Sequence, residues 1–320
     1  MSNKQTLVVF GATGIQGGSV AKSILNDPMV APQFHVKAVT RNPSKPAALA
    51  LAELGAELIK ADLNDKDSLR VALVGADAVF LVTNFGEIMD HEQETQQGVN
   101  VADVSKETGV KHLIWSSLPY VSKVTNGKYT AVVHFDSKAK VDEHIRAIGV
   151  PHTIVNVGTY TNFLVEALTP IPSVDSPPSY GLFFPGPVTL NTEFPLINAS
   201  TDVGKFVKGI LLNREKTLGR QLNLAERYYT TQEFLDIAKK LGVNVTFQAI
   251  DKETFKAGMA KQGAPEFFQE DVVQVIQYAA EFGFWGGKAF KEEHSLLSER
   301  LLTLKEALKS SDAFAKLKGA

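Results

Sequence analysis

The 320-residue chain contains no cysteine. Disulfides, thiolate metal sites and a cysteine nucleophile are thereby excluded. Neither sign of charge is in excess: 33 Lys and Arg against 35 Asp and Glu leave a formal net charge of −2. That balance advertises no basic face for nucleic acid. Long apolar stretches are missing too. The first apolar run, Leu7-Val8-Val9-Phe10, is far too short for a signal segment or a membrane span. No repeat and no low-complexity tract interrupts the chain. What remains is an ordinary globular composition, 44% hydrophobic and 21% charged, with enough residues for one large or two modest domains. A cytoplasmic protein is expected, with neither membrane nor nucleic acid among its partners.

Strand and helix patterns alternate through the first half. Short, β-branched, almost unbroken apolar segments at 7–10, 34–40, 56–60, 78–83, 111–117 and 152–157 read as strands buried on both faces. Helical patterns fall between them, one capped by Asn64 or Asp65 and ended by Gly75. Such alternation predicts an α/β fold, a doubly wound parallel sheet of Rossmann type. The rhythm breaks at 169–195, which holds seven of the fourteen prolines. It reads as a loop or a set of short strands outside the main sheet, placed as a substrate-side flap in which Phe183 and Phe184 exclude water. Beyond 230 the pattern is mostly helical, opening on a threonine cap. The expected division is a nucleotide-binding domain over 1–157, rejoined by 196–226. A smaller, mostly helical lobe for substrate or partner would comprise 158–195 and 227–320.

LVVFGATGIQGGSV is a strand, a glycine turn and a helix start in that order. Gly11 permits the tight turn, Gly14 brings backbone to a pyrophosphate at the helix N-terminus, and Gly17 lets helix and sheet approach. At the end of the second strand an NAD site wants a carboxylate for the ribose hydroxyls. This chain offers VTRNPSK, with Arg41 and Lys45 and no acid. A guanidinium fork and an ammonium suit a 2′-phosphate, so NADP(H) is the expected cofactor.

With the glycine turn, VTRNP, FLVTN, HLIWSS and HFDSK in register, the chain resembles the NmrA-like family of atypical short-chain dehydrogenases. The resemblance is closest to the NADPH-sensor type called HSCARG, and it is looser through NVGTYTNFL, STDVGKF and YYTTQEF. It implies an NADP-binding Rossmann domain with a smaller C-terminal lobe. It further implies that Thr13, Gly14, Ile15 and Gln16 line the pyrophosphate turn and that Arg41 and Lys45 meet the 2′-phosphate. Asp62 would face the adenine amino group, and Thr83, Asn84 and Phe85 the adenosine side. Lys138 would reach the nicotinamide ribose, with Tyr160 and Asn162 beside the nicotinamide ring.

The Tyr-x-x-x-Lys pair of short-chain dehydrogenases is not present. Tyr120 is followed four residues on by Val124 and Tyr129 by Val133, whereas His134 and Lys138 hold the spacing one helical turn apart. The sensor type carries the same histidine-for-tyrosine change. Two functions follow, the first, a regulator rather than an efficient dehydrogenase, being the one expected and the second its alternative. A redox-sensing regulator would bind NADP(H) and a protein partner that reads its occupancy, through the 84–90 loop or the proline-rich segment. A reductase would act on a small carbonyl, quinone or aromatic substrate, with Lys138 or His134 delivering the proton and Ser116 polarising a carbonyl. Isoflavone and phenylcoumaran benzylic ether reductases are similar in using a lysine in a context like Lys138-Ala139-Lys140. His91, Glu92 and Glu94 read as a solvated helix face rather than metal ligands. The 278–287 segment reads as lobe core or pocket lining, and 296–308 as an amphipathic stretch packed on the lobe or offered to a partner.

Overall fold

The computed structural model describes residues 4–172, 178–289 and 293–318. The six apolar segments become β1 (Gln5–Val9), β2 (Phe34–Thr40), β3 (Glu57–Lys60), β4 (Ala78–Leu81), β5 (His112–Ser117) and β6 (His152–Val157). With β11 (Gln221–Leu224) they form one seven-stranded sheet, ordered β11-β6-β5-β4-β1-β2-β3 and parallel throughout. Successive side chains of a strand point to opposite faces, which divides the core into two layers. Leu7, Val9 and Phe80 pack with Val20, Ile24 and Phe206 on one face. Val8, Phe10 and Val79 pack with Leu69, Val101 and Val141 on the other.

Small residues set how closely the covering helices approach. Helix Asp202–Leu212 crosses helix Ile15–Leu25 at Gly204, where a Cβ would lie 2.2 Å from the Ser19 carbonyl oxygen. Helix His91–Glu107 meets helix Val133–Ile148 at Gly98, where a Cβ would lie 2.6 Å from Val141 Cγ2. Asp65 caps helix Lys66–Leu73 by accepting from the Asp67 and Ser68 amides.

The remaining strands build two small three-stranded sheets: β12 (Arg227–Thr230), β10 (Glu193–Ile197) and β7 (Thr159–Tyr160), then β13 (Asn244–Ile250), β9 (Ser179–Pro185) and β8 (Leu168–Ile171). Around them Phe184, Phe234, Tyr278, Trp285 and Phe314 form a separate core. The proline-rich segment is therefore structural where it is described, and residues 173–177 of the expected flap lie outside the described residues. Phe184 is 1% exposed and belongs to the lobe core, which corrects the expectation of a water-excluding flap phenylalanine there. The 296–308 stretch is helical only over Leu304–Lys309, after a Thr303–Glu306 capping box. Its leucines face inward, Leu296 and Leu301 to the sheet and Leu304 and Leu308 to the lobe. No helix among the described residues is long and apolar enough to cross a membrane.

One buried acid has a measurable consequence. Asp142, on the Val133–Ile148 helix, accepts from Trp115 Nε1 at 2.8 Å. Burial pushes its carboxyl up to about 7, against the opposing hydrogen bonds from Ser117 and Trp115. A raised carboxyl favours the protonated folded state, so its contribution is full below about pH 4 and is lost as pH rises towards 7. Asp142→Asn keeps an acceptor for Trp115 and carries no charge. It is expected to raise stability at pH 8 by about 2 kcal/mol, a gain that vanishes by about pH 4. Urea titrations at the two pH values check this.

Candidate functional site

The strand order reverses between β1 and β4, and in open α/β sheets ligands sit outside the carboxyl ends of the strands at that point. There the turn after β1 carries Gly11 at φ +62°, where a Cβ would meet Val82 Cγ1 at 2.7 Å. At Gly17 a Cβ would lie 2.3 Å from the Gly11 carbonyl oxygen. Gly14 caps the helix Ile15–Leu25 without a side chain, so no side chain covers the first amides of that helix. Thr13, Gly14, Ile15 and Gln16 line the crevice, and Ile15 is 51% exposed within it.

Arg41 and Lys45 lie at one corner of the same crevice, beyond β2. Arg41 also has a partner that the sequence pattern did not show. Its Nη2 donates to Glu87 Oε1 at 2.5 Å, from the helical turn Phe85–Ile88 after β4. Asp62 lines the crevice too, with its Oδ1 engaged by the backbone amide and the side-chain amide of Asn64, each at 2.9 Å.

The middle of the crevice is organised by a buried ion pair. Lys138 Nζ donates to Glu94 Oε1 at 2.7 Å, to Thr83 Oγ1 at 2.6 Å and to the Thr83 carbonyl at 3.2 Å. These three bonds use all three ammonium donors. Thr83 Oγ1 donates onward to Glu94 Oε1, and Ser137 Oγ donates to Glu94 Oε2. Burial alone pushes the Glu94 carboxyl up. The Lys138 charge and the bonds from Lys138, Ser137 and Thr83 outweigh it and hold the carboxyl below its usual range. Reading Glu94 as part of a solvated helix face is thus overturned: it is 0% exposed, while Glu92 is exposed. The signal was available. Glu94, Gln97, Val101 and Val104 recur at helical spacing on the buried face.

Gln16 links two expected site residues across the crevice. It accepts from Ser116 Oγ at 2.7 Å and donates to the Tyr160 hydroxyl at 2.5 Å. Burial raises the Tyr160 phenol above its ordinary range, despite the Gln16 bond. Asn84 and Asn162 line the crevice as well, and Asn162 is exposed. Phe85 turns its ring towards His134, 5.8 Å between centroids, and Phe268, 6.4 Å. Thr159 Oγ1, another lining residue, is buried with no partner among the described residues.

His134 lines the cleft against the helix Glu266–Phe282. Its Nδ1 contacts Asp271 Oδ1, and its backbone amide donates to Asp271 Oδ2 at 3.2 Å. Asp271 comes from the lobe helix Glu266–Phe282 and is 0% exposed, whereas the His134 side chain is 23% exposed. Carboxylate contact at Nδ1 leaves Nε2 as the ring nitrogen outside that contact, and His134 lines the cleft. Phe163, Phe194, Ile276, Ala279 and Phe284 also line the cleft, and all but Phe163 belong to the buried cluster around the small sheets. Of the 278–287 segment, Ala279 and Phe284 line the cleft and also belong to the lobe core, which includes Tyr278 and Trp285. The whole cleft measures 1240 Å³, above the roughly 300–1,000 Å³ usual for a single small-molecule pocket. It has room for a dinucleotide and a second molecule.

The glycine cradle that a single Cβ would fill and the unpartnered Thr159 hydroxyl both fit a dinucleotide at this switch point. Fold and turn together define a dinucleotide-binding α/β protein. The chain belongs to the NmrA-like family, whose model matches residues 3–308. It is similar to an NmrA-like family domain-containing oxidoreductase of Aspergillus hancockii, 31% identical over 261 residues that cover 78% of this chain and 76% of the relative. Among solved structures it is similar in fold to NmrA, a negative transcriptional regulator, in complex with NADP. There the TM-score is 0.75 at 20% identity, over 97% of this chain and 99% of that one. The same regulator has also been solved with NAD. A third likeness is to a Citrobacter triphenylmethane reductase complexed with NADP(H), with TM-score 0.72 and 23% identity over 96% and 99% of the two chains.

Proposed function

We propose that the protein is an NADPH-dependent reductase of a flat, apolar acceptor such as a quinone or conjugated carbonyl. One observation carries this reading: the cleft that holds the glycine turn is also lined by Phe163, Phe194, Ile276 and Phe284 and by His134, whose Nδ1 contacts Asp271. That apolar lining is more than the polar groups of a nucleotide use. Gly11, Gly14 and Gly17 would hold the diphosphate, and Arg41 and Lys45 the 2′-phosphate. Gln16, Tyr160 and Thr159 would hold the nicotinamide end. When bound, the reduced nicotinamide supplies a hydride. Phe163, Phe194 and Phe284 stack the acceptor and exclude water. His134 Nε2 gives a proton to the acceptor oxygen, so two electrons and two protons reach a quinone. Solvent then returns the proton to His134. Ser116 would polarise a carbonyl only after its one hydroxyl donor is released from Gln16. Lys138 serves by holding Thr83 and Glu94, its donors already engaged.

Loss of NADPH absorbance against a panel of quinones and conjugated carbonyls tests the reading. Turnover is expected, and it should fall in His134→Gln while NADPH affinity is retained. No consumption with any acceptor would remove it.

A second reading, a nucleotide-sensing regulator of the HSCARG kind, is supported by the Phe85–Ile88 turn. Glu87 on that turn contacts the phosphate-corner Arg41, and Phe85 on the same turn packs against lobe residue Phe268. Occupancy of the corner could therefore alter a contact between the lobes. Such a switch requires different NADP(H) affinity in the two arrangements. Partner capture that changes with the NADPH to NADP ratio, without turnover, would favour it.

A further inference from the structure

We propose that Glu87 is a built-in competitor of the cofactor's 2′-phosphate, and that it keeps the choice between NADP(H) and NAD(H) narrow. The inference rests on the nucleotide-binding reading of the cleft. Arg41, Lys45 and Glu87 all line the cleft, and an ion pair places Glu87 against Arg41. Arg41 would be the natural fork for a 2′-phosphate, yet its Nη2 holds Glu87 Oε1 at 2.5 Å. Both side chains are open to solvent, at 62% and 50%, so neither is locked by packing and the pair is exchangeable. An arriving phosphate takes the guanidinium from the carboxylate and then sits near a displaced negative charge. An arriving 2′-hydroxyl meets the opposite situation. Glu87 can accept from it, in the role that an acid at the end of the second strand plays in NAD sites. One carboxylate thereby weakens NADP(H) and supports NAD(H). Reading VTRNPSK alone shows only the cations, because the acid arrives from the turn after β4, the next strand but one in the sheet.

The test is calorimetric titration of NADP, NAD, 2′,5′-ADP and ADP into wild type, Glu87→Gln and Arg41→Ala. In Glu87→Gln, NADP and 2′,5′-ADP are expected to bind about fivefold tighter, since an exposed ion pair and one like-charge contact are removed. NAD and ADP, which share the same adenosine 2′-hydroxyl, are each expected to weaken about threefold through the lost charged acceptor. An NADP to NAD preference that does not move, or moves towards NAD, overturns the proposal. Failure of wild type to bind any of the four ligands would instead overturn the nucleotide-binding reading beneath it. Arg41→Ala separates the two causes. If Glu87 acts by competing for Arg41, Glu87→Gln in that background should no longer tighten 2′,5′-ADP by more than the residual like-charge effect, about twofold.

Discussion

Replacing Lys138 by alanine is expected to lower the free energy of unfolding by about 3–5 kcal/mol, whatever it does to activity. The reason lies in what the lysine leaves behind. Glu94 is 0% exposed, and Lys138 is the cation that holds its carboxyl ionised. Removing one member of a buried pair strands the other in a medium of low polarity, and Thr83 loses its ammonium contacts as well. Glu94 must then either take up a proton or open the packing between helix His91–Glu107 and helix Val133–Ile148. A double replacement behaves differently. In Lys138→Met with Glu94→Gln, the glutamine amide still accepts from Ser137 and can donate to Thr83 Oγ1, the atom that bonds Glu94 Oε1. Most of the loss should be recovered, leaving a deficit of about 1 kcal/mol. Urea unfolding of the two singles and the double measures this coupling. A Lys138→Ala variant as stable as wild type would show that the pair is not closed in solution. The result also governs how activity is read, since lost turnover in Lys138→Ala alone would not identify a proton donor.

Most of the sheet was legible in the sequence because parallel strands covered on both faces leave an almost unbroken apolar mark. The predicted span 34–40 coincides with β2, and 152–157 with β6. The glycine turn was legible for a related reason: only a residue without a side chain tolerates the contacts at Gly11 and Gly17. What stayed hidden depends on pairings that local pattern does not encode. Arg41 was visible as a cation at a strand end, but Glu87 reaches it only because β2 and β4 flank β1. Asp271 lies 137 residues beyond His134 and meets it only when the lobe docks on the sheet domain. Glu94 differs, since its helical spacing already put it on the inward face; the neighbouring charges His91 and Glu92 masked that signal. In the proline-rich segment, turn chemistry marked an exit from the main sheet. Nothing local showed that β9 would pair with β13, some sixty positions later.

The Asp271–His134 contact makes the sharpest demand on the reductase reading. His134→Gln and Asp271→Asn are each expected to lower kcat for a quinone acceptor by about 100-fold, the usual weight of a positioned proton donor. Affinity for NADPH should stay within about twofold, because neither residue is placed on the phosphates or the ribose. Asp271 acts through His134. Its two oxygens meet the ring nitrogen and the backbone amide of that one residue, which fixes the direction in which Nε2 points. Two groups that work as a unit show losses that do not add. The double variant should therefore be no slower than either single, whereas independent roles would multiply to about 10,000-fold. A merely structural Asp271 predicts something else: reduced stability, with kcat per folded molecule unchanged and His134→Gln fully additive to it. Phe85 and Phe135 flank the ring at 5.8 and 4.7 Å, so glutamine at 134 keeps most of the packing while losing the acid. Additive losses would remove Asp271 from the chemistry, and an unchanged kcat in His134→Gln would remove His134 as well.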